Sequence, residues 1–85
     1  MYWDVVEVEP EPLYGLRVRF ADGLSGRIQL DESELVGALA PLRDPEYFFR
    51  VFVDQGAVAW PGDIDLAPDA MYQKVRAANM APLQR

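Results

Sequence analysis

The stretch LYGLRVRFADGLSGRIQL, residues 13–30, decides the first half of the fold. Only one hairpin register places its apolar side chains on one face and its charged side chains on the other. A two-residue turn at Asp22-Gly23 would place Val18 beside Arg27, so that an apolar and a charged side chain would share one face of the hairpin. A three-residue loop that ends with Gly23 in the left-handed conformation makes one face wholly apolar. Its predicted pairs are Phe20 with Leu24, Leu16 with Ile28 and Tyr14 with Leu30.

The opposite face of this hairpin carries three arginines, Arg17, Arg19 and Arg27. Three guanidinium groups on one surface could bind a phosphate or an acidic partner. They could instead pair with Glu7 and Glu9 of a preceding strand or with acidic groups of the neighbouring helix, which is the interpretation we favour. The sequence leaves both open.

That preceding strand is predicted from YWDVVEVEP, residues 2–10, which is rich in β-branched residues and alternates in part. The alternation places Val6 and Val8 on one side, and Val5 on the other side with the two glutamates. Pro10 and Pro12 confine residues 9–12 to an extended turn or the edge of a sheet, because proline cannot donate a ladder hydrogen bond.

Residues 31–60 predict a short helix followed by a second hairpin. The segment from Asp31 to Leu42 has apolar residues at helical spacing, with Asp31 or Ser33 as the cap. These residues are Leu35, Val36, Leu39 and Leu42. Residues 43–49, RDPEYFF, are typical of a turn. In residues 49–60, FRVFVDQGAVAW, we expect a three-residue loop ending in Gly56 that pairs Val53 with Ala57, Phe52 with Val58 and Val51 with Ala59.

Both faces of this second hairpin would be apolar, so it should be covered by helices or take part in an interface. Adjacent residues of an extended strand point to opposite faces, so Phe48 and Phe49 cannot both enter one core. An exposed ring beside an apolar hairpin favours self-association, and we expect a homodimer or a higher oligomer. The candidate interface residues are Phe48, Phe49, Val51, Val53 and Trp60. The alternative is a ligand pocket lined by the aromatic residues Tyr47, Phe48, Phe49, Phe52 and Trp60.

The last helix is predicted to start at Pro68, which suits the first helical position. Met71, Tyr72, Val75 and Ala78 form its apolar stripe, and Asn79 is its expected end. Just before it, Asp63 and Asp65 could bind a divalent cation, but no further oxygen ligands follow at regular spacing. We therefore assign both to the turn into the helix, with Asp65 accepting from free amides and Trp60 packed beneath.

The composition excludes most catalytic chemistry. The 85 residues contain no Cys and no His, so thiolate sites and Ser-His arrangements are absent. The only serines are Ser25 and Ser33, and Lys74 is the only lysine that could serve as a base. We expect no enzyme activity, no metal and no cofactor.

The charge of the chain bears on its partners. Fourteen acidic against eight basic residues give a net charge of −6, which repels nucleic acids and anionic membrane surfaces. No apolar run is long enough to span a membrane, and the first residues lack the pattern of a signal peptide. We expect a cytoplasmic protein that contacts neither nucleic acid nor membrane.

Two motifs carry a resemblance to a known family. F-x-D-G at Phe20, Asp22 and Gly23 precedes the Leu-rich helix, and D-L-x-P-x-x-[LM]-Y from Asp65 to Tyr72 follows the second hairpin. Over about residues 3–76 this order resembles the small bacterial family catalogued as domain of unknown function 2442. The resemblance implies an α+β domain without assigned catalytic residues, often encoded beside a second small gene in pairs that look like toxin–antitoxin modules.

Together these observations predict one α+β domain over residues 1–85. Its small, mostly antiparallel sheet is built from two β-hairpins plus an N-terminal strand, with two short helices. The predicted function is a non-catalytic protein-interaction module, with an antitoxin-like role as the specific form that the resemblance implies. The alternative is a small-molecule or anion-binding protein that uses the arginine face or an aromatic pocket.

Overall fold

The computed structural model describes residues 1–80 of the chain, without the side chains of residues 79 and 80, and confirms the α+β class. The strands form two three-stranded antiparallel sheets, where the sequence predicted one small sheet. The first sheet contains β1 (Val5–Glu11), β2 (Gly15–Phe20) and β3 (Ser25–Gln29) in that order. The second contains β4 (Phe52–Asp54), β5 (Ala57–Trp60) and β6 (Ile64–Leu66), and the α-helices are α1 (Pro45–Phe48) and α2 (Pro68–Met80).

The register predicted for the first hairpin is confirmed. Leu16 lies opposite Ile28, and the N–H of Phe20 donates to the carbonyl of Leu24 at 2.7 Å. Gly23 closes the loop with φ +95°, a conformation that glycine adopts without a Cβ clash. The apolar face of this hairpin therefore enters the core as expected.

The alternation predicted for β1 is wrong at its start. A β-bulge lies between Val5, which faces Phe20, and Glu7, which faces Arg19. The extra residue, Val6, reverses the side-chain alternation. Val5 is consequently 2% exposed in the core, whereas Val6 is exposed to solvent. Past the bulge, Val8 lies opposite Val18 on the core side.

The start of β1 also connects the two sheets. The N–H of Val5 donates to the carbonyl of Gly56 at 2.8 Å, and the carbonyl of Asp4 accepts from the N–H of Ala21 at 2.8 Å. Gly56 has φ +83°, and a Cβ added there would lie only 2.8 Å from Cγ of Asp4. Glycine is thus needed at this junction for its conformation and for space.

The register predicted for the second hairpin is wrong by one residue. The structure pairs Phe52 with Ala59 and Val53 with Val58. Gln55 and Gly56, both with positive φ, form a two-residue turn of the kind that type I′ geometry requires. Because of the shift, Val53, Val58 and Trp60 share the core side, and Phe52 lies on the outer side.

The helix predicted between Asp31 and Leu42 forms instead as two 3-10 helices, Glu32–Glu34 and Gly37–Arg43. Asp31 caps the first one as predicted, since its side chain accepts from the N–H of Ser33 at 2.9 Å. Extended backbone at Val36 and a positive φ at Gly37 separate the two. Leu35 and Leu42 nevertheless reach the core.

The segment RDPEYFF, predicted as a turn, contains helix α1. The side chain of Asp44 caps this helix by accepting from the N–H of Glu46 at 3.0 Å, and Pro45 takes the first position. The two phenylalanines separate because the chain is helical at Phe48, not because a strand alternates there. Phe48 is buried and Phe49 is exposed.

The strand β6, just before the last helix, was not predicted. Asp65 lies in β6 opposite Ala59, so it belongs to a sheet and not to the helix entry. Helix α2 begins at Pro68 as predicted, but it runs to Met80 and therefore does not end at Asn79. Of its predicted stripe, Met71, Tyr72 and Val75 are buried, whereas Ala78 is exposed.

The core lies between the sheets and α2. Trp60 is at its centre and its indole N–H donates to the carbonyl of Phe48 at 2.8 Å. Val75 of α2 packs over β3 where Gly26 has no side chain, since an added Cβ would lie 2.6 Å from Cγ1 of Val75. Within residues 1–80, none of the helices has the length and apolar character needed to cross a membrane.

A hydrogen bond ties α2 to the first hairpin. The hydroxyl of Tyr72 donates to Oδ2 of Asp22 at 2.5 Å, and Oδ1 of Asp22 accepts from the N–H of Leu24 at 2.9 Å. The bond from Tyr72, followed by the bond from Leu24, lowers the pKa of Asp22. The same bond to Asp22 raises the pKa of Tyr72.

Replacing Gly56 by alanine should destabilise the protein more than the same change at Gly23. Both glycines have positive φ, so each substitution costs about 1–2 kcal/mol of backbone strain. At Gly23 nothing lies within 4 Å of the added Cβ, whereas at Gly56 it meets Asp4. We expect a further loss of about 1–3 kcal/mol for Gly56→Ala in urea unfolding. Equal losses at the two positions would contradict this account of the junction.

The hydrogen bond between Tyr72 and Asp22 should make stability depend on pH at both extremes. Because the folded pKa of Asp22 is lowered, its contribution is complete above the ordinary Asp value of about 3.9 and is lost as the pH falls through the lowered pKa. Because the folded pKa of Tyr72 is raised, its contribution is complete below about 10 and is lost as the pH rises through the raised pKa.

Urea unfolding of wild type and Tyr72→Phe between pH 2 and 11 measures this effect. We expect the free-energy difference between them to be constant near neutral pH and to shrink in both windows. A difference that is constant from the acid to the alkaline limit would exclude the proposed coupling.

Candidate functional site

A concave surface of about 990 Å³ lies on the outer face of the first sheet. Its floor is a set of six charged side chains, which we call the charged face. Val6, Phe52 and Val53 add an apolar border where the second sheet meets the first. The charged face consists of Glu7, Glu9, Glu11, Arg17, Arg19 and Arg27.

Each arginine of the charged face has a glutamate partner on β1. Nε of Arg19 lies 2.8 Å from Oε1 of Glu7, directly across the strand pair. Nη2 of Arg17 lies 3.5 Å from Oε1 of Glu9, its neighbour in the same register. The predicted pairing of these arginines with Glu7 and Glu9 is therefore observed.

The third pair was not predicted, because it spans the middle strand. Arg27 on β3 reaches Glu11 on β1, with Nη2 2.8 Å from Oε1. Gly15 of β2 lies opposite Glu11, and a Cβ added there would lie 3.4 Å from the same carboxylate oxygen. The missing side chain leaves room for this contact across β2.

The pair formed by Glu7 and Arg19 shifts the pKa of both groups. The hydrogen bond from Arg19, followed by its charge, lowers the pKa of Glu7, and the same bond raises the pKa of Arg19. Three positive and three negative groups cancel, so the charged face carries no net charge. An anion bound here would have to displace a glutamate from its arginine.

The five candidate interface residues divide into buried and accessible groups. Phe48 and Trp60 are each 1% exposed, so the chain's own core covers them. Val51 and Val53 are half-buried and Phe49 is 49% exposed. Any interface made by this set would therefore use Phe49, Val51 and Val53.

Phe52 and Val6 are exposed apolar residues outside the predicted interface set. Phe52 is 43% exposed and borders the charged face, as does Val6. The incorrect register paired Phe52 with Val58, a core residue, and thereby hid its exposure. Val6 was hidden by the bulge. The Gln-Gly dipeptide at 55–56 was the available signal for the two-residue turn.

The acidic residues before the last helix lie on the second sheet. Asp63 is in the turn between β5 and β6 with φ +65°, and Asp65 is in β6. Together with Phe52 and Asp54 they line a smaller hollow of about 240 Å³. Among residues 1–80, His, Cys, Asp and Glu side chains form no group of three that could hold a metal ion.

Comparison with known protein families yields a match over most of the chain. The model of a family described as "Protein of unknown function (DUF2442)" matches residues 5–77, close to the span of about 3–76 expected from the motifs. Neither the curated proteins nor the solved structures gave a match.

Removing Arg27 should destabilise the protein more than removing Arg17. The Arg27 pair is shorter, and Glu11 is 23% exposed against 68% for Glu9, so solvent screens it less. For Arg17→Ala we expect a loss near zero, and for Arg27→Ala up to about 1 kcal/mol in urea unfolding at low salt.

The salt dependence provides the control for this comparison. In 1 M NaCl the Debye length falls to about 3 Å, so the difference between the two variants should shrink. A loss for Arg27→Ala that persists at high salt would point to packing rather than charge.

Proposed function

The chain belongs to the DUF2442 family, and from that premise we propose that it is a non-catalytic protein-interaction module. In the specific form of this proposal, it is the acidic, antitoxin-like member of a pair of small bacterial proteins and acts in the cytoplasm. Its partner is a small basic protein encoded by the adjacent gene.

The observation that carries the proposal is the exposure of Phe52 between two concave surfaces. Its ring borders the charged face on one side and the smaller hollow of the second sheet on the other. Large aromatic side chains flanked by polar groups are typical of the energetic centres of protein interfaces. Val6 and Val53 enlarge this apolar border.

The charge distribution supports a basic partner. The arginines of the charged face are paired with glutamates, so that surface is neutral. The net charge of −6 must therefore come from the rest of the chain. A field of this sign accelerates encounter with a positively charged protein.

The same pairing weighs against the alternative of an anion-binding protein. A phosphate would compete with Glu7, Glu9 and Glu11 for guanidinium groups that those residues already hold. Burial of Phe48 and Trp60 likewise removes two of the rings from a surface pocket. These two observations favour the protein partner over the small ligand.

Co-expression with the product of the adjacent gene tests the proposal. We expect the two proteins to co-purify as a complex whose mass, by light scattering, equals the sum of whole numbers of each chain. Titration of the purified proteins should give a dissociation constant that rises with salt concentration.

Two results would count against the proposal. One is the absence of association at tens of micromolar of each protein. The other is a lone homodimer of this chain that excludes the neighbour, since self-association would then be the use of the exposed apolar residues.

A further inference from the structure

The outer face of the second sheet combines one aromatic ring, two alanines and two carboxylates. Side chains of a strand alternate, so the residues opposite the core side of β4, β5 and β6 form one surface. Cross-strand pairing puts Phe52, Ala59 and Asp65 in one row, and Asp54 and Ala57 in the next. We call these five residues the outer face.

The shape of the outer face is a trough. The middle strand contributes only the methyl groups of Ala57 and Ala59, while the larger side chains stand on the strands to either side. Phe52, Asp54 and Asp65 are exposed. The hollow of about 240 Å³ lies here, bordered by the ring of Phe52 and the carboxylates.

We infer that the outer face binds an extended segment of the partner protein that carries arginine or lysine side chains; this rests on the proposed function. The apolar stem of such a side chain can lie on the half-buried Ala57, beside Ala59, which is 5% exposed. Its cation then meets the face of the Phe52 ring. The carboxylates of Asp54 and Asp65 accept its N–H groups.

Charge complementarity selects this occupant over a second copy of the chain. In a two-fold dimer the same patch meets itself, so Asp54 and Asp65 would face their own counterparts and repel. The charged face of another copy offers no better match, because each of its arginines is held by a glutamate. A basic segment from a different protein satisfies both the ring and the carboxylates.

A short peptide tests the chemistry without the partner. The probe is a blocked hexapeptide that alternates Arg and Leu, titrated into the ¹⁵N-labelled full chain and followed by amide chemical shifts. We expect saturable shifts concentrated on β4, β5 and β6. A peptide that alternates Ser and Leu should leave these amides unchanged. Shifts confined to other acidic segments, such as Glu32–Glu34, or no shifts at millimolar peptide, would overturn the inference.

Matched variants then test the ring. Phe52 and Phe49 are 43% and 49% exposed, so Phe52→Ser and Phe49→Ser remove similar exposed rings. Loss of the cation–ring contact and of apolar cover should weaken peptide binding about tenfold for Phe52→Ser. Phe49→Ser should bind as wild type. Phe52→Leu gives the same comparison with a smaller loss if Phe52→Ser fails to fold.

Three variants that each remove one negative charge test the carboxylates. Asp54→Asn and Asp65→Asn should each weaken binding about threefold, as expected for exposed ion pairs, and should reduce its salt dependence. Glu46→Gln removes the same charge from α1 and should leave both unchanged. Equal effects of all three would show that only net charge matters and would overturn the inference.

The partner complex separates this inference from the proposed function. If the adjacent gene's product co-purifies and tolerates Phe52→Ser, Asp54→Asn and Asp65→Asn, the function stands and the outer face is not its site. If the peptide binds the outer face but the neighbour does not associate, the site stands and the proposed partner is wrong.

Discussion

The junction between Asp4, Val5 and Gly56 is the constraint on which the rest of the structure depends. The bulge after Val5 directs that side chain into the core and leaves its N–H for the carbonyl of Gly56 on the second sheet. One short segment is thereby shared by two sheets. Each three-stranded sheet alone would have little to bury, so this contact lets both face one core around Trp60 and Phe20.

The two surfaces of the protein follow from that arrangement. Once the core takes the inner faces, the polar residues of β1, β2 and β3 must lie outside, where the register puts Glu7 beside Arg19 and Glu9 beside Arg17. The charges of this surface are then satisfied internally. On the outer face of the second sheet, Asp54 and Asp65 lie opposite alanines and not opposite arginines. We therefore propose the outer face of the second sheet as the binding surface. The charged face of the first sheet already pairs its own arginines and glutamates.

The family match and the observed fold agree on a small α+β domain. The chemistry has to be argued from the side chains. Without histidine or cysteine, and with the three arginines of the charged face in ion pairs, the chain still offers rings and carboxylates for recognition. Binding of another protein needs only these. In the interaction that we propose, the exposed Phe52 is the centre of the contact.

The sequence by itself determined the elements whose pattern is local. It gave the register of the first hairpin, because one loop length alone sorts its apolar and charged residues. It also placed the start of α2, since Pro68 marks a first helical turn. Binary patterning and local backbone preference were sufficient for these.

Only the tertiary structure decided the rest. The second hairpin is apolar on both faces, so its pattern could not reject a register shifted by one residue, and that shift concealed Phe52. The bulge at Val6 and the reach of Arg27 to Glu11 depend on neighbours far along the chain. Two adjacent 3-10 helices replaced one helix because Val36 remains extended while Leu35 and Leu42 pack in the core. Long-range packing, which no local pattern records, therefore set the surface that we propose for binding.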